Sequence, residues 1–168
     1  MNRAAVVAAF VGLATCSKPG GGPDPCVLLR AAGPEALLRT ELGPDRHIYG
    51  LCRIDSVAAP AGPDEKSVGL EIRRDAGAAA VASAQQFWEH EGNGVGYQGG
   101  VRENLRELNG PGRFTVWVPI DGGLQLFSYW DRENLLVISI KGAPVERALP
   151  WAQTLAGETV RAERASRS

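Results

Sequence analysis

The sequence predicts an α+β fold: a single antiparallel sheet of about five strands, with helices packed mainly on one face, in the order α-β-β-α-β-β-β-α. Three observations predict it. Ser67–Arg74 alternates, with Val68, Leu70 and Ile72 inward and Glu71 and Arg73 toward water, the period of a half-buried strand. Phe114–Ile120, Leu124–Trp130 and Leu135–Lys141 are strand-like runs separated only by short turns, which forces neighbouring strands to run antiparallel. Two segments instead place their apolar residues at helical spacing: Ala76–Glu91, and a closing stretch that reaches Arg164.

Taken in order, Gly33-Pro34-Glu35 opens a helix, with proline at the first helical position and a carboxylate beside the positive end of the dipole. That helix is predicted to stop at Gly43-Pro44. His47–Ile54 reads as the first strand, Ala58–Glu65 as a loop and Ser67–Arg74 as the second strand. Asp75 caps a helix that presents Val81, Ala84, Gln85 and Trp88 along one stripe and ends at Gly92. Gly92–Gly100 is a glycine loop, and Val101–Glu107 fits a strand or a short helix. Gly110-Pro111-Gly112 forces a turn, and Asp121-Gly122 is a tight-hairpin signal between the next two strands. Leu135–Lys141 is almost continuously apolar, as a central strand would be. The last helix turns Ala148, Ala152, Leu155, Thr159 and Val160 inward.

With 168 residues, the chain is one domain's worth. Its 44% hydrophobic and 22% charged residues argue against wholesale disorder. A net charge of −1 without a basic cluster argues against a nucleic-acid partner, whose binding needs a concentrated positive face.

The N-terminus reads as a targeting segment. Arg3 precedes the uncharged apolar run Ala4–Ala14, which falls short of the roughly 20 residues of a bilayer span but fits the apolar core of a secretory signal. Leu13-Ala14-Thr15-Cys16 follows and resembles the lipobox of bacterial lipoproteins, in which the cysteine receives the lipid; Thr15 departs from the usual Gly, Ala or Ser. Residues 1–15 are thus expected to be a signal peptide, 16–25 a tether, 26–164 the domain and 165–168 a fraying tail. Gly12-Leu13-Ala14 also fits ordinary signal cleavage, which would release a soluble periplasmic or secreted protein. Export implies an oxidising compartment, where an odd thiol is a liability. With Cys16 lipidated, Cys26 and Cys52 remain as a pair, and a bridge between them closes a loop of about 27 residues, a stabilisation of roughly 3.5 kcal/mol.

Cys26, Leu28-Leu29, Leu42-Gly43, Cys52, Gly110-Pro111-Gly112 and the strands Leu124–Trp130 and Leu135–Ile140 together resemble a family of small secreted bacterial lipoproteins of unknown function. The family is best known from actinobacteria. The resemblance covers almost the whole mature chain and implies a lipid-anchored envelope domain. Arg30 stands where a threonine usually follows the two leucines, and Ala31–Pro34 looks inserted. The order of elements is also similar to the photosystem-extrinsic-protein-like fold, which occurs in secreted lipoproteins too.

Chemistry-bearing clusters are few. Gly92–Gly100 follows a helix, whereas a dinucleotide fingerprint follows a strand and opens a helix. Glu89-His90-Glu91 points its side chains in different directions and lacks the paired histidines of a zincin, and His47 reads as a rim residue. No catalytic residue, metal or cofactor is therefore predicted. Trp117, Phe127 and Tyr129 are expected to share the sheet face opposite the helices, with Leu135 and Val137: a binding surface flanked by Tyr97 if that face is open, core if the strands curl or a helix packs there. The expected protein is a non-enzymatic envelope module, held to the membrane by its lipid, that binds an envelope protein or a small ligand. The competing expectation is a secreted hydrolase or metal-dependent enzyme using carboxylates near Gly92–Gly100.

Overall fold

A computed structural model describes residues 22–48, 50–58, 64–74, 106–112, 114–130 and 134–168. The fold is α+β and the sheet is antiparallel throughout. Its strands are β1 (Arg46–Ile48), β2 (Leu51–Asp55), β3 (Ser67–Arg73), β4 (Arg106–Leu108), β5 (Phe114–Ile120), β6 (Gly123–Trp130) and β7 (Asn134–Lys141). They lie in the order β1-β2-β3-β7-β6-β5-β4. The sheet has more strands than the roughly five expected: β4 takes the strand alternative at the end of Val101–Glu107, and β1 is split from the expected strand His47–Ile54.

Most local signals hold. The Asp121-Gly122 turn pairs Ile120 with Gly123, and Gly122 takes the positive φ of 73° that a tight hairpin requires. β7, the most continuously apolar strand, lies between β3 and β6 and hydrogen-bonds along its length to both.

Three expectations are corrected. His47–Ile54 is not one strand but the hairpin of β1 and β2, because Gly50 turns the chain with φ 84°. The helix expected to run to Gly43 is only α2 (Pro34–Leu38): Arg39 takes the left-handed conformation, φ 52°, and its N–H closes the last turn on Glu35 at 2.8 Å. A further helix, α1 (Pro25–Ala31), precedes it, started by the Asp24 carboxylate accepting from the Cys26 N–H at 2.7 Å and by Pro25 at the first position. α1 thus starts at Pro25, the last residue of the expected tether.

The closing helix, α3, spans Val145–Ala165 and buries the whole predicted stripe together with Ala156 and Glu163. Side chains from α1, α2 and α3 share one core with Ile54, Val68, Leu70, Leu126, Ile138 and Ile140, so the described helices cover one face of the sheet. The predicted helix Ala76–Glu91, with its Glu89-His90-Glu91 end, and the Gly92–Gly100 loop lie outside the described residues.

Candidate functional site

The sheet register sorts every strand residue onto one of two faces. Trp117 pairs with Leu126, and Leu126 with Ile138, so Trp117 belongs to the helix-covered core, where it is 8% exposed. Phe127 pairs with Val116 and Val137 and faces the opposite way, as does Tyr129. The expected common face of Trp117, Phe127 and Tyr129 is therefore corrected, and of the two alternatives for the rings the buried one holds: Tyr129 is 4% exposed and Phe127 partly buried. The cause is visible in β5, whose alternate rows are both apolar. Val116 and Val118 are as buried as Trp117, so the pattern marks two buried faces without naming which one meets the helices.

Beyond that apolar cluster, the same face turns polar. Arg53, Gly69, Ser139 and Gln125 pair in turn across β2, β3, β7 and β6, forming one row on this face. The next row runs Asp55, Ser67, Lys141 and Gly123. Long side chains end the first row while Gly69 and Ser139 occupy its middle, so the sheet sinks into a trough of about 280 Å3. Leu51 and Ile120 line it on either side.

Gly69 has no backbone reason to be glycine. Among the described residues, a Cβ there would meet nothing closer than the Cys52 carbonyl oxygen at 3.6 Å, an ordinary contact, and its φ is not in the left-handed region. Glycine inside a strand weakens it and marks a place where something approaches the backbone closely.

An ion network closes one end of the trough. Arg53 Nε donates to Asp55 Oδ1 at 2.7 Å, and its Nη2 donates to Glu65 Oε1. Lys141 Nζ donates to Glu65 Oε2 at 3.0 Å, and Arg46 reaches Asp55 at 3.4 Å. The hydrogen bond to Asp55 raises the Arg53 guanidinium above its ordinary value, against the cost of its partial burial. Gln125 Nε2 donates to Ser139 Oγ at 3.1 Å, which leaves the Ser139 hydroxyl its own proton to give. Two cations, a carboxylate, two hydroxyls and an amide thus surround a small-residue floor.

None of these trough residues was singled out from the sequence. The available signal was in the second phase of each strand, since Gly69, Gln125 and Ser139 are small or polar where the flanking positions are apolar.

Cys26 and Cys52 are joined, with Cα atoms 5.0 Å apart, tying α1 to β2. Asp24, Cys26 and His47 cluster beside this bridge, but a bridged sulfur is no thiolate ligand, and Asp24 is engaged in capping α1. His47 is exposed at the sheet edge. Cys16 and Tyr97 lie outside the described residues.

Fold and site together define a disulfide-bridged α+β domain with a polar trough on the sheet face away from its described helices. Comparison of the chain with protein families, with curated proteins and with solved structures finds no match in any of the three.

Proposed function

We propose that this protein is an extracytoplasmic binding module, anchored through a lipid on Cys16, that holds a small polar ligand in the trough over Gly69 and Ser139. The observation that carries the binding role is Gly69. A strand glycine that neither conformation nor packing requires keeps open a cavity ringed by fixed charges. Glu65, the carboxylate of the lining, bridges Arg53 and Lys141, while Asp55 behind it holds Arg46 and Arg53; carboxylates engaged by cations suit recognition rather than turnover.

Two features support an envelope location. The Cys26–Cys52 bridge belongs to an oxidising compartment. It also uses two of the three cysteines, leaving Cys16 as the thiol for a lipid.

A thermal-shift screen of polar metabolites on the full chain tests the binding role, with Gly69→Val as control. A ligand that raises the melting temperature of the wild type and loses that effect in Gly69→Val is expected. A ligand that stabilises both proteins equally would place binding elsewhere. Mass spectrometry of the mature N-terminus tests the anchor: an acylated Cys16 is expected, and an unmodified terminus would sink it.

A further inference from the structure

The trough's charges go further than a site for a polar ligand; they select one by sign. We infer that the ligand enters through an anionic group, a carboxylate or a phosphate, which replaces the Glu65 carboxylate between Arg53 and Lys141. This inference rests on the trough being the binding site.

Arg53 stands on β2 and Lys141 on β7, with β3 between them. Strands spaced about 4.8 Å apart therefore hold the two backbones roughly 10 Å apart, so only an anion lying over β3 meets both cations. Glu65 is such an anion, with one oxygen toward each cation. The site is thus already shaped around a carboxylate.

Glu65 is also the expendable partner. It lies ahead of β3, outside the ladder, where the first link is the Ser56 N–H to the Lys66 carbonyl at 2.8 Å. Its side chain can swing away without breaking a strand bond. Asp55 cannot be displaced so easily, being 9% exposed in its side chain and held by Arg46 as well as Arg53. When Glu65 leaves, Asp55 keeps its grip on the Arg53 Nε and the guanidinium stays aimed, with Nη2 turned to the newcomer. The network then holds Arg46, Arg53 and Lys141 against Asp55 alone, a positive excess that an anion neutralises. Ser139 adds a hydroxyl donor on the floor, and the small row of Gly69 and Ser139 leaves room for the ligand's body.

Isothermal titration of the full chain with inorganic phosphate and succinate tests this, with 1,4-butanediol and putrescine as neutral and cationic counterparts of succinate. An anionic probe is expected to bind, more weakly as salt rises, while butanediol and putrescine do not. Removing the internal competitor by Glu65→Gln should tighten the anion at least 10-fold, whereas Lys141→Gln should weaken it at least 10-fold. Preference for putrescine or butanediol overturns the inference, as does an anion affinity unchanged or lowered in Glu65→Gln. A neutral ligand that is lost in Gly69→Val would overturn it while leaving the trough as the binding site. Silence of every probe toward both wild type and Glu65→Gln overturns it as well.

Discussion

Thr159 sits on the inward side of α3 with no solvent exposure, and its Oγ1 has no hydrogen-bond partner among the described residues. A buried hydroxyl without a partner forfeits its hydration and regains nothing, a cost of about 1–3 kcal/mol. Thr159→Val keeps the shape and the β-branching, so it should stabilise the protein by about 1 kcal/mol, read as a higher midpoint in urea at unchanged slope. A loss of stability would mean that the hydroxyl is served by an internal water. Glu163, one turn further along, is the opposite case. It is fully buried and paired with Arg74, whose Nε donates to Oε1 at 3.0 Å, and Arg74 also donates to the Pro23 carbonyl at 2.7 Å. Glu163→Gln leaves Arg74 without its counter-charge at a largely buried position, so a loss of about 3 kcal/mol is expected. A loss under 1 kcal/mol would show that solvent reaches the pair. Helical spacing alone places Thr159 inward, but the burial of the Glu163 carboxylate leaves no mark in the sequence. The partner is 89 residues distant, and an isolated Glu on a helix is ordinarily solvated.

At the scale of elements, β3 is the strand on which fold and site meet. Val68, Leu70 and Ile72 enter the core, and Ser67 and Gly69 of the other phase line the trough. The alternation was legible because one phase of β3 is wholly apolar. The function of the other phase was not, since a glycine in a strand reads as a bulge until its neighbours across β2 and β7 are known. The same limit explains Trp117: with both phases of β5 buried, only the register with β6 separates the core face from the far one. The hairpin of β1 and β2 hides in the sequence for a different reason, its turn being too short to interrupt the apolar pattern. These arguments predict that Gly69→Ala is tolerated or favourable, by up to about 1 kcal/mol, because it removes backbone freedom from the unfolded chain and meets no clash. Differential scanning calorimetry should show an equal or higher melting temperature. A marked decrease would mean that the strand itself needs the glycine, and would remove the main support for the trough.

At the scale of the whole molecule, two crosslinks secure the start of the domain. The Cys26–Cys52 bridge fastens α1 to β2, and Arg74 holds the Pro23 carbonyl against the buried Glu163 of α3. If the chain hangs from a lipid on Cys16, any pull between membrane and bound partner is applied at this point. Two anchors there pass the load to the sheet and to the longest described helix rather than to the five-residue α2. The disulfide carries the larger expected share. It closes 26 residues of separation, which in the chain-entropy picture corresponds to roughly 3.5 kcal/mol lost when it is cut. The double variant Cys26→Ala, Cys52→Ala should therefore unfold at lower urea, with α1 exchanging its amide hydrogens faster than β7, because α1 loses its covalent tie while β7 keeps both flanking strands. Hydrogen exchange by mass spectrometry separates the two segments. Equal acceleration in α1 and β7 would show that the bridge supports the entire domain, and no change in α1 would leave Arg74 as its principal fastening.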